Sequence, residues 1–593
     1  MKNRKVIISL LLTISMIAGT TFTFAANDDK GDHVDIADMT DAEPYGEFEF
    51  DGDTGRLAYD DPSLTVSGIA SKKIGAQIIP SSYDLRGKGL VTSVKDQKDF
   101  NFCWAFATLA SIESNLIRKG TAPSSVDLSE AHLGYFNFHG FNKYASSSYC
   151  GKESFIDVNN GFSNYLESAA TLSRRFGVVT EQVMPYSRYF DPSLHTNAVR
   201  IRHQYLLKDM NYIETSQTTK KLDRSGMDIV KKWIMSNGAV ASAVYSPQFS
   251  EYRVSSSDKI RNYYSPSKEF NHAITIVGWN DNYPKSSFTT LAKPAGNGAW
   301  LVKNSYGKGF GEDGYYWVSY YCPAVCQFSS FTACKNDGSQ IYQYNGLGIG
   351  NMPYTSNKSV SGANTFKARK DVLIDRVGIW TLSADSKVNV KIYAEKNKKA
   401  PTSGTKLIDK TFSVTHVGYH TLDLGKNVGI PKGAKFSLIV TVKEKSGTYT
   451  LPFEVCDLTD GDTQPANVVK GQSYLKIKGK SWTDIKTIFQ YRSSVNIYNA
   501  TIKGIGNKAG TSAQKISSIK SKTLKKGTKY RIKAKRVKGN GRLVFGTSDH
   551  KKADVSTKGL VKAKKKGTVK ITVRALPTKT CRSAKKVIKL RIR

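Results

Sequence analysis

One stretch decides the fold of this chain: Gln97-Lys-Asp-Phe-Asn-Phe-Cys103-Trp104-Ala105-Phe106. The apolar residues that follow recur with helical spacing until Gly120, which predicts an amphipathic helix beginning at Cys103. They are Phe106, Leu109, Ile112, Leu116 and Ile117. A thiol at a helix N-terminus faces unpaired N–H groups and the positive end of the helix dipole, and both stabilise a thiolate. Cys103 is therefore a candidate nucleophile, although a buried structural cysteine fits this stretch alone equally well.

A histidine and an asparagine stand beside two later apolar strands. His272 heads the run His272-Ala-Ile-Thr-Ile-Val-Gly-Trp279, and Asn304 follows Ala299-Trp-Leu-Val-Lys303. A histidine so placed can take the proton of a thiol and return it to a leaving amine. An asparagine carboxamide can accept from that imidazole and fix its tautomer. Taken singly, His272 is more typical of a structural histidine, and Asn304-Ser-Tyr-Gly is only a turn signal.

Together and in this chain order, the three segments resemble those of the papain-like cysteine peptidases. The upstream Tyr83-Asp-Leu-Arg86 and Val94-Lys-Asp-Gln97 match that family as well, and the resemblance covers residues 80–337. It implies an α+β fold with a helical half and a β half, and an endopeptidase without a metal or other cofactor. The catalytic residues that it implies are Cys103 as nucleophile, His272 as base, Asn304 as the group that orients the imidazole, and Gln97 as the oxyanion donor.

The resemblance also implies substrate contacts. Asn160-Gly161 resembles the glycine segment whose backbone pairs with an extended substrate, and Ala273 would help to wall the S2 pocket. Tyr306 stands where the family usually has a tryptophan that shields the hydrogen bond between the asparagine and the histidine.

The chain departs from the family just before the nucleophile. Four positions differ from the family's Gly, Cys, Gly and Ser: Lys98, Phe100, Asn101 and Phe102. The disulfide that the family's extra cysteine makes is therefore absent, and we expect Phe102 to narrow the cleft. His272 and Asn304 lie 169 and 201 residues after the nucleophile, farther than usual, which insertions explain.

The N-terminus has the composition of a secretory signal. Lys2, Arg4 and Lys5 precede an apolar run over residues 6–18, and small residues follow at Ala25-Ala26. The run is shorter than the ~20 residues that a membrane span needs, so a signal peptide over 1–26 is favoured over a transmembrane anchor. Residues 27–61 hold 13 Asp and Glu against 2 Lys and Arg, which motivates an acidic propeptide over 27–79 and a zymogen.

Two β-rich regions follow the peptidase-like region. Strand patterns at 372–380, 387–394, 418–424 and 434–442 predict an all-β sandwich or jelly roll over 340–503. This region resembles the lectin-like β domain that follows such peptidases in some secreted proteins of Gram-positive anaerobes. Patterns at 531–535, 542–545, 569–573 and 587–592 predict a small sandwich over 512–593, which resembles bacterial Ig-like domains.

The basic residues concentrate at the C-terminal end. The formal net charge is +39, and residues 501–593 hold 30 Lys and Arg against 2 Asp. Such a tail suggests an anionic partner. For a secreted protein, a cell-wall polymer or a glycan bound through the β domains is a better candidate than nucleic acid. A solvated basic surface without a specific partner fits the composition equally well.

The seven cysteines do not form the pattern of a disulfide scaffold or a metal site. Cys322, Cys326 and Cys334 lie close together without a histidine among them, so buried thiols or one local disulfide are favoured. Four acids of the second region are more typical of solvated loops than of a calcium site: Asp457, Asp460, Asp462 and Asp484.

The favoured function is hydrolysis of protein substrates by a secreted enzyme, with retention at a bacterial cell surface left open. A surface adhesin that keeps an inactive peptidase scaffold is the main alternative, and its support is the large non-catalytic half. A cell-wall amidase with the same Cys–His chemistry is less favoured, because such enzymes have shorter catalytic domains.

Overall fold

The structure is a computed structural model of the chain. It describes residues 78–138, 163–175, 177–196, 199, 202–214, 224–246, 262–267, 269–288, 293–344, 353–394, 400–457, 469–488 and 495–593. The predicted signal peptide, the acidic segment and Asn160-Gly161 lie outside these residues. Among the described residues, no helix combines the length and the apolar character that crossing a bilayer demands.

In its described residues, the first unit packs four α-helices against one sheet. The helices are Cys103–Arg118, Glu130–Phe138, Tyr165–Ser173 and Arg224–Asn237. The strands are Ser82–Asp84, Tyr205–Ile213, Val240–Val244, Asn262–Tyr263, His272–Asn280, Ala299–Lys303, Tyr315–Ser319 and Cys326–Lys335. The helical half thus precedes the β half, as the sequence predicts.

The helix that begins at Cys103 is buried on nearly all sides, rather than along the one apolar face that its spacing predicts. Three of the polar side chains on its other faces, those of Ser111, Ser114 and Asn115, donate to backbone carbonyl groups of flanking segments. Ser111 Oγ donates to Ala239 O at 2.6 Å, and Ser114 Oγ donates to Leu90 O at 2.7 Å. Buried polar groups are tolerated when they are hydrogen-bonded in this way, so the helix forms the centre of the unit.

The sheet carries the two later sequence segments to one place. The strand His272–Asn280 lies between Val240–Val244 and Ala299–Lys303. It runs antiparallel to Ala299–Lys303, with Thr275 opposite Lys303. Asn304 follows Lys303 directly, so this register brings it to the same end of the sheet as His272.

Where the structure describes it, the second unit is built of β-strands and one short helix, Ile485–Ile488. Its strands are Gln340–Tyr342, Pro353–Ser356, Val360–Lys367, Val372–Thr381, Ser386–Ala394, Thr405–Val414, Val417–Ile430, Lys435–Lys443, Tyr449–Asp457, Ser473–Ile477, Thr483–Asp484, Val495–Ala500 and Lys503–Lys508. All four strands predicted here are present. A sandwich core of aliphatic and phenylalanine side chains separates the sheets.

The first and second units share one twelve-stranded sheet. The strand Tyr205–Ile213 of the first unit pairs antiparallel with Val417–Ile430 of the second, with Gly418 opposite Asn211. Trp380 and Tyr419 of the second unit are buried in the core of the first. The two units, separate in the sequence, therefore form one packed body.

The third unit is a small sandwich of short strands. They are Lys515–Ile516, Lys522–Leu524, Lys529–Arg531, Arg536–Lys538, Leu543–Thr547, Ala553–Val555, Leu560–Ala563, Gly567–Ala575 and Ala584–Ile592. The prediction of a strand over 531–535 is wrong. One three-residue strand ends at Arg531 and the next begins at Arg536, and the residues between them are not in a strand. The Ig-like character of this unit stays a prediction.

Candidate active site

The candidate nucleophile lies at the first residue of the central helix. The preceding residue, Phe102, makes no side-chain capping bond, so the first N–H groups of the helix stay available. The Cys103 side chain is 9% exposed. Burial raises the pKa of its thiol to about 11, although backbone N–H groups of Ala273 and Trp104 act in the opposite direction.

The imidazole of His272 is held by Asn304. Its Nε2 lies 2.8 Å from Asn304 Oδ1, and both side chains are buried. The same oxygen accepts from the Ser305 N–H at 2.9 Å, which identifies it as the carbonyl oxygen of the amide. The His272 Nε2 must then be the donor, so its Nδ1 is the free base of the ring.

Tyr306 covers this pair. Its ring stacks on the imidazole of His272 with centroids 4.7 Å apart and planes 27° apart. Its hydroxyl lies 3.2 Å from Nδ1 and donates to it. A tryptophan at this position has no hydroxyl to make that bond.

The site in this state holds neutral partners. Burial lowers the pKa of His272 to about 4, against the opposing effect of the hydrogen bond with Asn304. Among the described residues, no hydrogen bond joins the Cys103 sulfur to His272, and Nδ1 is engaged by Tyr306 instead. The sulfur lies against the backbone of Ala273, the next residue along the strand.

Gln97 is also buried, and it is 4% exposed. Its Nε2 donates to Phe100 O at 2.7 Å, and its Oε1 accepts from Ser305 Oγ at 2.6 Å. One of the two amide hydrogens remains for another acceptor. Ser305 thus links Gln97 to Asn304. This role was not predicted, although Ser305 belongs to the turn Asn304-Ser-Tyr-Gly.

Two family models match the chain with this geometry. Residues 79–335 match the model of the papain family cysteine protease, and residues 341–506 match that of the lectin-like domain. The chain carries a papain-family cysteine protease domain followed by a lectin-like domain. The predicted fold class of these two domains is confirmed.

Curated relatives match about two-fifths of this chain. "Peptidase 1" of Psoroptes ovis is 28% identical over 250 residues, which are 42% of this chain and 63% of the relative. "Cysteine proteinase 15A" of Pisum sativum is 29% identical over 247 residues, which are 40% of this chain and 57% of the relative. The chain therefore spans about six-tenths of the length of such relatives.

Two solved structures match more than two thirds of this chain. The clostridial cysteine protease Cwp84 after propeptide cleavage is 26% identical, with a TM-score of 0.59, over 72% of this chain and 100% of that one. A crystal structure of the cysteine protease and lectin-like domains of Cwp84, a surface layer associated protein of Clostridium difficile, is 25% identical. Its TM-score is 0.58, over 73% of this chain and 90% of that one.

Of the other predicted substrate contacts of the protease domain, only some lie within the described residues. Ala273 is 8% exposed and adjoins the thiol, whereas Asn160 and Gly161 lie outside the described residues. The expectation that Phe102 narrows the cleft is wrong. Its ring is fully buried and packs against the rings of Tyr189 and Trp104, with its centroid 5.1 Å from that of Tyr189. The side chain therefore belongs to the core of the domain and does not line the cleft.

A cluster of ionisable side chains around Lys95 lies next to the site in the protease domain. Lys95 Nζ contacts Glu113 Oε1 at 3.0 Å, Glu130 Oε1 at 2.8 Å and Asp127 Oδ1 at 2.6 Å. Burial raises the pKa of Glu130 to about 8, although Lys95 opposes the shift. This cluster was not predicted. The feature that could have indicated it is Glu113, a charged residue within the helix that begins at Cys103.

Three cysteines and Asp484, which the sequence offered as possible metal ligands, have described side chains. Cys322, Cys326 and Cys334 are free thiols, and the described residues contain no group of acids, cysteines and histidines suited to a metal ion. Asp484 of the lectin-like domain accepts from the Gly471 N–H at 2.7 Å. The side chains of Asp457, Asp460 and Asp462 lie outside the described part of the chain.

Proposed function

We propose that the chain is a secreted cysteine endopeptidase that hydrolyses protein substrates. What carries the proposal is the 2.8 Å contact between His272 and Asn304, beside a thiol at a helix N-terminus. Three segments distant in the sequence meet there in the chain order of the protease family. The buried pair fixes the tautomer that general-base catalysis needs.

The proposed reaction begins with proton transfer. The Cys103 thiol displaces the Tyr306 hydroxyl at His272 Nδ1, gives Nδ1 its proton and attacks the scissile carbonyl carbon. The oxyanion accepts hydrogen bonds from the Cys103 N–H and from the remaining N–H of Gln97. The imidazolium then protonates the leaving amine, and an acyl-thioester remains on Cys103.

Water completes the cycle. His272 Nδ1, neutral again, takes a proton from a water molecule that attacks the thioester, and the carboxylic acid product leaves as the thiol is restored. Throughout, Asn304 holds the imidazole in place. Hydrolysis of a quenched fluorescent casein by the wild type and by Cys103→Ala tests this scheme. We expect activity only in the wild type, and equal activity in both would exclude Cys103 as the nucleophile.

The acidic residues 27–61 support synthesis as a zymogen, since the mature protein is basic. If maturation is autocatalytic, Cys103→Ala purified from a secreting host keeps a longer N-terminus than the wild type. Intact mass of both proteins measures this difference. Identical N-termini in the two proteins would assign the cleavage to another protease.

A surface adhesin with an inactive protease scaffold is the second candidate. The raised pKa of the Cys103 thiol and the contact of Tyr306 with His272 Nδ1 favour it, because neither activates the nucleophile. The casein assay decides between the two, since an adhesin would bind glycans and leave casein intact. Cwp84 is described as surface layer associated, and we propose the cell surface as the location under either function.

A further inference from the structure

The third unit, residues 512–593, carries a charged surface that the proposed function leaves unused. Residues 501–593 hold 30 Lys and Arg and only 2 Asp. Both aspartates are engaged, Asp549 with Lys552, and Asp554 with Lys564 and His550. The unit has no other acidic residue to balance its remaining cations.

Two long strands of this unit place like charges directly opposite each other. Gly567–Ala575 pairs antiparallel with Ala584–Ile592, which sets Lys570 opposite Lys589 and Arg574 opposite Lys585. Residues opposite each other in such a pair have Cβ atoms about 5 Å apart, and like charges there destabilise the sheet. Alternation of charge signs, the usual solution, is absent from this register.

The register is held by the buried side of the same strands. The alternate residues form the core of the unit: Val569, Ile571, Val573, Ile588, Leu590 and Ile592. A slip of one residue would turn this core to the solvent and the charges inward. The repulsion therefore cannot relax by a change of register.

We define the outer face as the exposed side of this strand pair, with four basic residues: Lys570, Lys585, Lys589 and Arg591. Arg574 is half-buried and is not part of it. Alternate residues repeat about every 7 Å along a strand, so Lys585 and Arg591 are about 20 Å apart. The other residues on this face are Thr568, Thr572 and Val587. The outer face is thus a row of closely spaced cations without an aromatic ring.

We propose that the outer face binds a linear phosphodiester polymer that has no stacking bases, and so holds the protein at an anionic surface. Closely spaced cations match a chain with one negative charge per repeat, and the bound polymer relieves the repulsion between the opposed lysines. Three of the four basic residues on this face are lysines, and a lysine ammonium binds phosphate as a point charge, without the fixed geometry of the arginine fork. Proteins that bind single-stranded nucleic acids add aromatic stacking platforms, which this face lacks. The binding does not depend on Cys103.

The test uses the full chain and purified poly(glycerol phosphate), titrated by calorimetry between 50 and 300 mM NaCl. Each phosphate neutralised on a single-chain polymer contributes about 0.7 to the slope of log K against log salt. The triple variant Lys570→Gln, Lys585→Gln and Lys589→Gln should therefore reduce the slope by about 2, and the affinity at 0.1 M salt about a hundredfold. Thermal unfolding of the variant should occur at the same or a higher temperature, because repulsion is removed.

The matched control removes three exposed lysines from the other sheets of the same unit: Lys515→Gln, Lys529→Gln and Lys562→Gln. Lys562 has Asp554 opposite it, so this surface is partly balanced. We expect the control to bind within about threefold of the wild type. Equal weakening of both variants would show that net charge alone acts, and tighter binding of poly(dT) than of poly(glycerol phosphate) would assign the face to nucleic acid. A triple variant that unfolds at a lower temperature than the control would also overturn the proposal.

Discussion

Removal of one hydroxyl should change the pH dependence of the candidate active site. Tyr306 donates to His272 Nδ1 at 3.2 Å, and its oxygen accepts from Ser246. This arrangement stabilises the neutral imidazole. It acts in the same direction as burial, which lowers the pKa of His272 to about 4. A neutral hydrogen bond contributes about 0.5–1.5 kcal/mol, and one pKa unit corresponds to 1.36 kcal/mol. Tyr306→Phe should therefore raise the pKa of His272 by roughly 0.4–1.1 units.

The acidic limb of kcat/KM reports the free enzyme's base, which must be unprotonated to act. Measured on a quenched fluorescent peptide from pH 3 to 9, this limb should move to higher pH by that amount in Tyr306→Phe. Tyr306→Trp is the matched control, because it keeps a ring over the imidazole and also lacks the hydroxyl. Both variants should show the same shift. An unchanged limb, a shift to lower pH, or a shift in only one variant would refute the role given to the hydroxyl.

Three further predictions concern other parts of the chain. Gln97→Ala should lower kcat by about 10²–10³ with a smaller change in KM, because one oxyanion donor is lost; steady-state kinetics on the same peptide would show it. Gly418→Ala should lower the unfolding temperature of both domains, because φ is +132° and a Cβ would lie 1.9 Å from Met210 O. Calorimetry should compare this variant with Gly433→Ala, where φ is +76° and nothing lies near the added Cβ. The comparison separates the effect of the clash from that of backbone strain alone. Between pH 4.5 and 8, the folded chain holds a proton on Glu130 that the unfolded chain releases, so stability should fall as the pH rises through this window; Glu130→Gln should flatten that slope in urea unfolding, and an unaltered slope would contradict the raised pKa.

Local patterns predicted the elements of the site because each depends on neighbouring residues. The helix after Cys103 and the strand at His272 follow from spacing and apolar runs, and the structure has both. The predicted placement of Phe102 failed, because the packing of Tyr189 and Trp104 around its ring is a tertiary property. The alternation of apolar residues does not reveal such a preference.

Contacts between segments that are distant in the sequence could not be predicted for the same reason. Nothing in the pattern at Tyr205–Ile213 indicates that it pairs with Val417–Ile430, so the shared sheet was not predicted. The cluster around Lys95 was also missed, since its acids come from separate helices and loops. The strand over 531–535 was misplaced because the alternation of basic and apolar residues continues through residues 532–535, which separate two strands.

The central claim is that Cys103, His272 and Asn304 act as one chemical unit. Labelling with a thiol-directed peptidyl epoxide, followed by peptide mass mapping, tests it most directly. The account predicts one label per chain, at Cys103, and none on the buried thiols Cys322 and Cys326. It also predicts that the rate of labelling of Cys103 falls more than tenfold in His272→Ala. Labelling of Cys103 at the same rate in the wild type and His272→Ala, or no selective labelling at all, would contradict it.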